Sequence, residues 1–312
     1  PETTLVQPQI VRERDAREWF QLDPIKLELS TALLGDDSMR FVQPLLDRIT
    51  PLREAIAREW GWMMPGVRIC DSTALEPNCY RIYLRELPAG EGCLQPDKLL
   101  ALQRQEAGEL LEPCWSLPSH WVAPDQAEQS RRQGALVLSP QQVLVHHLRS
   151  LVELHAHRLL SLDEVAQRLE KQEQRRLVQE VVPHRIDLVG LRWILRQLLK
   201  EFIPVRDLPA LLESIADHPR LPLPELYEQV RADLAYLISH LHADPHGSLA
   251  GHFYDHLPSL EAARQQAQTL PSPLFITTPE LRPGLRGLLY EHPRWPVLSS
   301  RELAPGYRIA PD

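Results

Sequence analysis

Apolar and polar positions divide the chain into three stretches. From Leu22 the run PIKLELS alternates, with Ile25, Leu27 and Leu29 on one side, the mark of a half-buried strand. Val42, Leu45, Leu46, Ile49, Leu52 and Ile56 then recur at helical spacing and predict a helix from Phe41 to Trp60. Period two returns in VRIC (67–70) and YRIYLREL (80–87), each read as one strand. Strand, helix, strand, strand is an α+β layout. Residues 94–135 are mixed, with short runs KLLALQ and WSLPSHWV. ALVLS (135–139) reads as a returning strand; pairing with the first strands would make the segment before it an insertion.

Residues 140–241 read as an all-helical block. Ser139 opens it, with Pro140 at the first helical position and Gln142 three residues on, a capping box. The stripe that follows is Val143, His147, Leu148, Leu151, Leu154 and Leu159, with His147 expected as a satisfied core or cleft histidine. Ser161 and Glu164 make a second box at the head of SLDEVAQRLEKQ. Asp187 caps the run Leu188, Leu191, Leu195, Leu198, Phe202. Asp207 caps the next, after an elbow, IPVRDLP, stiffened by Pro204 and Pro209. PELYEQVRADLAYLISHL (224–241) is expected as one long helix. The rest is α/β: a strand in PLFITT (273–278), a helix from Thr278 to Leu289, a strand in WPVLSS (295–300) and a last one in YRIA (307–310).

Composition narrows the classes. With 312 residues, 43% hydrophobic and 24% charged, the chain is a multidomain globular protein. Its net charge of −8 counts against a general nucleic-acid binder. No apolar run is long enough to span a bilayer, and no signal-peptide pattern is present. The start at Pro1 fits a piece of a longer protein. Proline is in excess, 29 of 312 residues, and scattered, which implies many short elements with sharp joints. Cys70, Cys79, Cys93 and Cys114 match no zinc or redox spacing and are expected as reduced, buried thiols.

Phosphate loops, GxSxG elbows and HExxH are all absent. His240, His242, His246, His252 and His256 crowd together with Asp244 and Asp255, and His252 with His256 could share a helix face. The bland reading, a solvated surface connection, is preferred to a metal site, because zinc asks for three or four convergent ligands. Arg192, Arg196 and Lys200 recur every four residues, as a solvated face or as a nucleic-acid-facing helix would. The residues alone therefore reach an α+β binding or assembly protein without a catalytic site. Two rivals stand beside it: a winged-helix nucleic-acid-binding regulator built on 140–241, and a metal-dependent hydrolase built on 240–256.

Short motifs stand in order from about residue 22 to 310: LEL (27–29), PGVRI (65–69), PNCYRI (77–82), WSLPSHW (115–121), VLVHHL (143–148), HAHRLL (155–160), the RDL elbow, PELRP (279–283) and PVLS (296–299). The ordered set resembles the cytoplasmic domain of the FHIPEP family, the large export-gate proteins of flagellar and virulence type III secretion. The chain departs from the family pattern at Ser30-Thr31, where the family has Gly-Tyr, and at SLD (161–163), where it has Gly-Arg-Gln.

The resemblance implies an inner-membrane protein whose transmembrane part lies upstream, with no enzymatic activity and no cofactor. It implies a linker (1–21) and four subdomains: an α/β first (22–94 and 136–157), an inserted second (95–135), a helical, winged-helix-like third (158–241) and an α/β fourth (242–312). It implies a nine-membered homo-oligomeric ring that contacts other export-apparatus components and receives chaperone–substrate complexes and a gatekeeper protein, with no nucleic acid. The chaperone-docking dimple of flagellar relatives falls by position on Glu112, Trp115 and His146. All three differ in type from the flagellar residues, which tilts the reading toward a virulence system.

Overall fold

The structure is a computed structural model and describes residues 22–35, 38–102, 110–111, 118–218, 220–268 and 273–310. The chain divides into two compact units, Pro1–Leu45 with Pro65–His147, and Leu46–Met64 with Leu148–Asp312.

The first unit opens with β1 (Ile25–Ser30), a single turn α1 (Thr31–Leu34) and the start of α2 (Ser38–Trp60). Then come β2 (Val67–Ser72), β3 (Cys79–Leu84) and β4 (Leu87–Cys93). The sheet order is β2-β1-β3-β4; β1 and β2 run parallel and the other pairs antiparallel. Ile25, Leu27, Leu29, Tyr80 and Ile82 are fully buried on one face, as the alternation requires. The opposite face carries polar pairs: Tyr83 donates to Glu28 at 2.9 Å, and Arg81 meets Glu91 at 3.0 Å.

Two expectations fail in this sheet. YRIYLREL is a strand and a turn, not one strand. Arg85 and Glu86 both hold positive φ, 51° and 64°, and turn the chain into β4. Two successive left-handed residues suit a tight hairpin, but Asn-Gly usually marks it and Arg-Glu gives no signal. The cysteines also differ from expectation: Cys79 and Cys93 form a disulfide, while Cys70 is free. The β3–β4 register sets them opposite each other. The hydrogen bond from Leu94 N to Asn78 O, 2.8 Å, marks theirs as a non-hydrogen-bonded pair, where side chains approach most closely.

A second sheet holds β5 (Leu99–Leu102), β6 (Leu110–Leu111), β7 (Pro118–Val122) and β8 (Leu136–Leu138), in the order β6-β7-β5-β8, with α3 (Ala127–Arg132) before β8. ALVLS therefore pairs with β5, Leu100 opposite Leu138, and not with the first strands. β5, paired with β7 on one side, takes β8 on its other edge. The chain still comes back to the first sheet, in α4 (Pro140–Leu154), where His147 meets Tyr80 of β3. α4 ends at Leu154, so Leu159 lies on the short α5 (Ala156–Leu159).

The second unit continues with α6 (Leu162–Glu170), α7 (Arg175–Val181), α8 (Leu188–Lys200), α9 (Leu208–Asp217), α10 (Leu223–Asp233) and α11 (Ala235–His242). Leu191, Leu195, Leu198, Leu208, Leu212 and Val230 are fully buried among them. The expected helix 224–241 breaks at Leu234. The break aims two helices at residues 297–302: Arg231 reaches Val297 O (3.2 Å) and Ser239 Oγ donates to Glu302 O (2.8 Å).

The last part comprises β9 (Ser248–Leu249), β10 (His252–Tyr254), α12 (Leu260–Ala267), β11 (Phe275–Thr277), α13 (Arg282–Leu288), β12 (Val297–Ser299) and β13 (Arg308–Ile309). β10, β11 and β12 form a parallel sheet, and β9 pairs with β13. Tyr254, Phe275 and Val297 meet Ala263, Ala267, Leu285 and Leu289 in one core. The helix expected from Thr278 begins at Arg282. The Thr278 carbonyl first closes a turn, accepting from Leu281 N and Arg282 N.

Candidate functional site

The segment that carries Glu112 and Trp115 joins β6 to β7, whose ends are paired through Leu111 and Pro118. Glu112 and Trp115 themselves lie outside the described residues. His146 is described: it is half-buried on α4. The helix is set by its cap, Ser139 Oγ accepting from Gln142 N (3.3 Å) and Gln142 Oε1 from Ser139 N (2.8 Å). That start puts the neighbouring His147 inward, 5% exposed, with Nδ1 2.8 Å from the Tyr80 hydroxyl and the rings edge-on. His147 is thus the satisfied core histidine that the stripe predicts.

The elbow is a joint. Asp187 and Asp207 cap their helices as expected, accepting from Gly190 N (2.6 Å) and Ala210 N (3.0 Å). Between them Ile203 and Val205 are buried, and Val205 bonds on both sides. Its N–H donates to Trp60 O (2.9 Å), and its carbonyl accepts from Arg168 (2.7 Å). Gly61, just past α2, turns under the elbow with φ +75°. Ser161 caps α6 by accepting from Glu164 N, but the expected reciprocal bond is absent. The Glu164 carboxylate accepts from Met63 N instead, at 3.0 Å. It ties α6 to the residues after α2.

A buried ion network was not visible in the sequence. Arg231 bonds Glu302 and Glu201, the latter at 3.1 Å; Arg282 bonds Glu201 at 3.0 Å and Glu228 at 2.6 Å. Tyr227 donates to Glu201 at 2.7 Å. Arg231 and Glu302 are each 1% exposed. Burial alone would raise the Glu201 carboxyl, but the guanidinium groups of Arg231 and Arg282 and the Tyr227 hydroxyl outweigh it and hold it below the ordinary range. No spacing rule marks these residues.

The histidine-rich segment is partly structure, not a bare connection. His252 lies in β10 and His256 beyond its end, so they share no helix face. Among the described residues no three His, Cys, Asp or Glu side chains converge as a metal would require. Burial lowers His242 to about 4. His157 also falls to about 4, first through burial, then through His155, Lys200 and Arg196, which places the basic stripe of α8 beside it. Below their ordinary range near 6.5 the unfolded chain binds these protons and the folded chain does not. Stability is therefore full above about pH 6.5 and falls toward pH 4, at most about 1.4 kcal/mol per pH unit for each histidine. Thermal midpoints measured across that window should flatten in the variant His157→Leu/His242→Leu; an unchanged slope would assign the acid loss to other groups.

Ser214, Asp233 and His218 form a Ser/Asp/His side-chain contact among the described residues. Ser214 Oγ (2.6 Å) and His218 Nε2 (2.7 Å) both meet the same oxygen, Asp233 Oδ2. The imidazole does not touch the hydroxyl, so the order needed to activate a serine is missing. The contact clasps α9 to α10.

Comparisons with known proteins bear on the resemblance. The chain is 33% identical to the flagellar biosynthesis protein FlhA of Caulobacter vibrioides over 224 residues, 69% of this chain and 32% of that protein. It is 30% identical to FlhA of Helicobacter pylori over 80% of this chain and 36% of that protein. The chain thus spans about a third of the length of these relatives. Among solved structures, the Chlamydia pneumoniae CdsV protein shares the fold over 94% of this chain and 98% of its own (TM-score 0.79, 24% identity). The nonameric EPEC SctV-C does so over 93% and 97% (TM-score 0.70, 17% identity). The family model described as "FHIPEP family" matches residues 2–257. With the ordered motifs and the shared fold, this match shows that the chain belongs to the FHIPEP family.

Proposed function

We propose that this chain is the cytoplasmic ring domain of a type III secretion export gate, anchored in the inner membrane by an upstream part. It docks chaperone–substrate and gatekeeper complexes and has no enzymatic role. The observation that carries the reading is the family match across residues 2–257. The fold shared with CdsV and with a nonameric SctV-C supports assembly into a nine-membered ring, and a solved complex of CdsV with CdsO supports contact with other export components. The four-subdomain division belongs to this reading. The return of the chain to the first sheet through His147 supports an inserted second subdomain, and the pairing of Leu136–Leu138 with β5 supports moving its end beyond the expected residue 135.

Within it, Glu112, Trp115 and His146 form the docking site. A large aromatic side chain seated in a partner's pocket is the usual anchor of such contacts. Trp115→Ala should weaken binding of a cognate chaperone–substrate complex by roughly thirtyfold, about 2 kcal/mol. The thermal midpoint should stay within a degree or two. Calorimetric titration beside thermal melts reads both. Undiminished affinity removes Trp115 from the dock, and a collapsed midpoint makes it a packing residue.

A further inference from the structure

The Cys79–Cys93 disulfide joins neighbouring strands on the solvent side of the first sheet. Cys93 is exposed and Cys79 half-buried, so a thiolate from solution meets Cys93 Sγ first. Cys79 Sγ lies 3.5 Å from the Pro77 carbonyl oxygen, which can accept a hydrogen bond from the Cys79 thiol once the disulfide opens. The disulfide also stands where the chain leaves the first sheet: Leu94, the next residue, is buried and donates to Asn78 O. On its other side Gly92 lies hard against Tyr80; a Cβ at that position would sit 2.7 Å from the phenol oxygen. That oxygen is the one that holds His147 Nδ1 at 2.8 Å. A short covalent and packed path thus runs from the two sulfurs through Gly92 and Tyr80 to α4.

We propose that Cys79–Cys93 is a site of reversible thiol–disulfide exchange with dithiols, and that its state sets how firmly the β3–β4 hairpin holds Tyr80 against His147. A thiolate of the dithiol attacks Cys93 Sγ, the S–S bond breaks, and Cys79 leaves as a thiolate that takes up a proton. The second thiol of the dithiol then attacks the mixed disulfide and releases Cys93. The protein disulfide gains two electrons and the dithiol becomes a disulfide; oxidation runs the same steps backward. Exposed disulfides in a glutathione-poised compartment are conditional, because accessible sulfurs equilibrate with the pool. In the cytosolic placement proposed above, the staple therefore reports the redox state around it. The chemistry itself does not depend on that placement.

The test uses the purified chain oxidised with glutathione disulfide, then treated or not with dithiothreitol under native conditions. Alkylation followed by peptide mass mapping should find Cys79 and Cys93 blocked before dithiothreitol and labelled after it, with Cys70 labelled in both. Hydrogen exchange should then rise in residues 79–94 by up to roughly a hundredfold, the loop-closure effect expected for a ring of this size. The first two turns of α4, up to His147, should follow. The variant Cys79→Ser/Cys93→Ser should match the reduced protein and ignore dithiothreitol. Cys79 and Cys93 labelled before reduction, or a disulfide that dithiothreitol cannot reach without denaturant, would overturn the exchange. Exchange in α4 that is identical in the two forms would overturn the coupling through Tyr80 to His147. No outcome involves a chaperone, so failure here is separate from failure of the docking site.

Discussion

Replacing Arg231 by Met should cost this protein about 3–5 kcal/mol, because it strips a buried carboxylate pair of its counter-charge. Arg231 bonds Glu302 and Glu201 from a position that is 1% exposed. Methionine fills similar space, so little of the loss comes from a cavity. Glu302 would stay buried without its guanidinium, and Glu201 would keep only Arg282 and Tyr227. Urea titration with the midpoint converted through an unchanged slope measures the loss. Arg231→Met/Glu302→Gln should recover part of it, since the second change removes the stranded charge. A loss below about 1 kcal/mol in the single variant would show that the network contributes little. The acid arm gives a second readout. The Glu201 carboxyl is held low in the folded state, so its contribution is present above the ordinary carboxylate range and is lost as pH falls through the depressed value.

Gly61→Ala should be the second severe change, at roughly 2–4 kcal/mol from forced repacking and left-handed strain together. An added Cβ would stand 2.2 Å from Arg206 Cα and 2.4 Å from Arg206 N. These are backbone atoms of the elbow, and the elbow is pinned by the Val205 bonds to Trp60 and Arg168. Neither side can yield cheaply, and φ at Gly61 is +75° besides. Gly134 separates the two costs. It has φ +85° with open space around it, so Gly134→Ala carries the backbone strain alone, about 1 kcal/mol. Thermal melts of both variants decide the matter; equal losses would mean that close approach to Arg206 does not constrain the residue.

Much of the helical block was legible because its signals are local. Ser139, Asp187 and Asp207 announce their helices, and the leucines of α8 and α9 repeat at the spacing that buries one face. The first sheet was legible where alternation is unbroken, in Ile25–Leu29 and Tyr80–Leu84. It failed at Arg85–Glu86, where the backbone takes a glycine-like turn without glycine, and in β4, whose two glycines and proline erase the alternation. The pairing of ALVLS, the disulfide and the ion network were not legible for a different reason. Each depends on which elements become neighbours in space, and no short window holds that information. Glu164 shows the limit well. Its spacing from Ser161 says capping box, and tertiary structure spends the carboxylate on Met63 instead. Of the candidate site, position came from the motif order alone, and the structure adds the setting of His146 beside a fixed His147.

The ion network also bears on synthesis. Arg231 leaves the ribosome well before Glu302 does, so the growing chain carries a cation whose main partner has not yet been made. Until residues 297–304 arrive, α10 and α11 lack the carboxylate, the Val297 carbonyl and the Glu302 carbonyl that their inward faces bond. The helical block is thus finished by a short turn, Ser300–Glu302, that emerges long after α10 and α11 themselves. A nascent chain arrested before residue 302 should expose α10 to protease, and extension past residue 304 should close it.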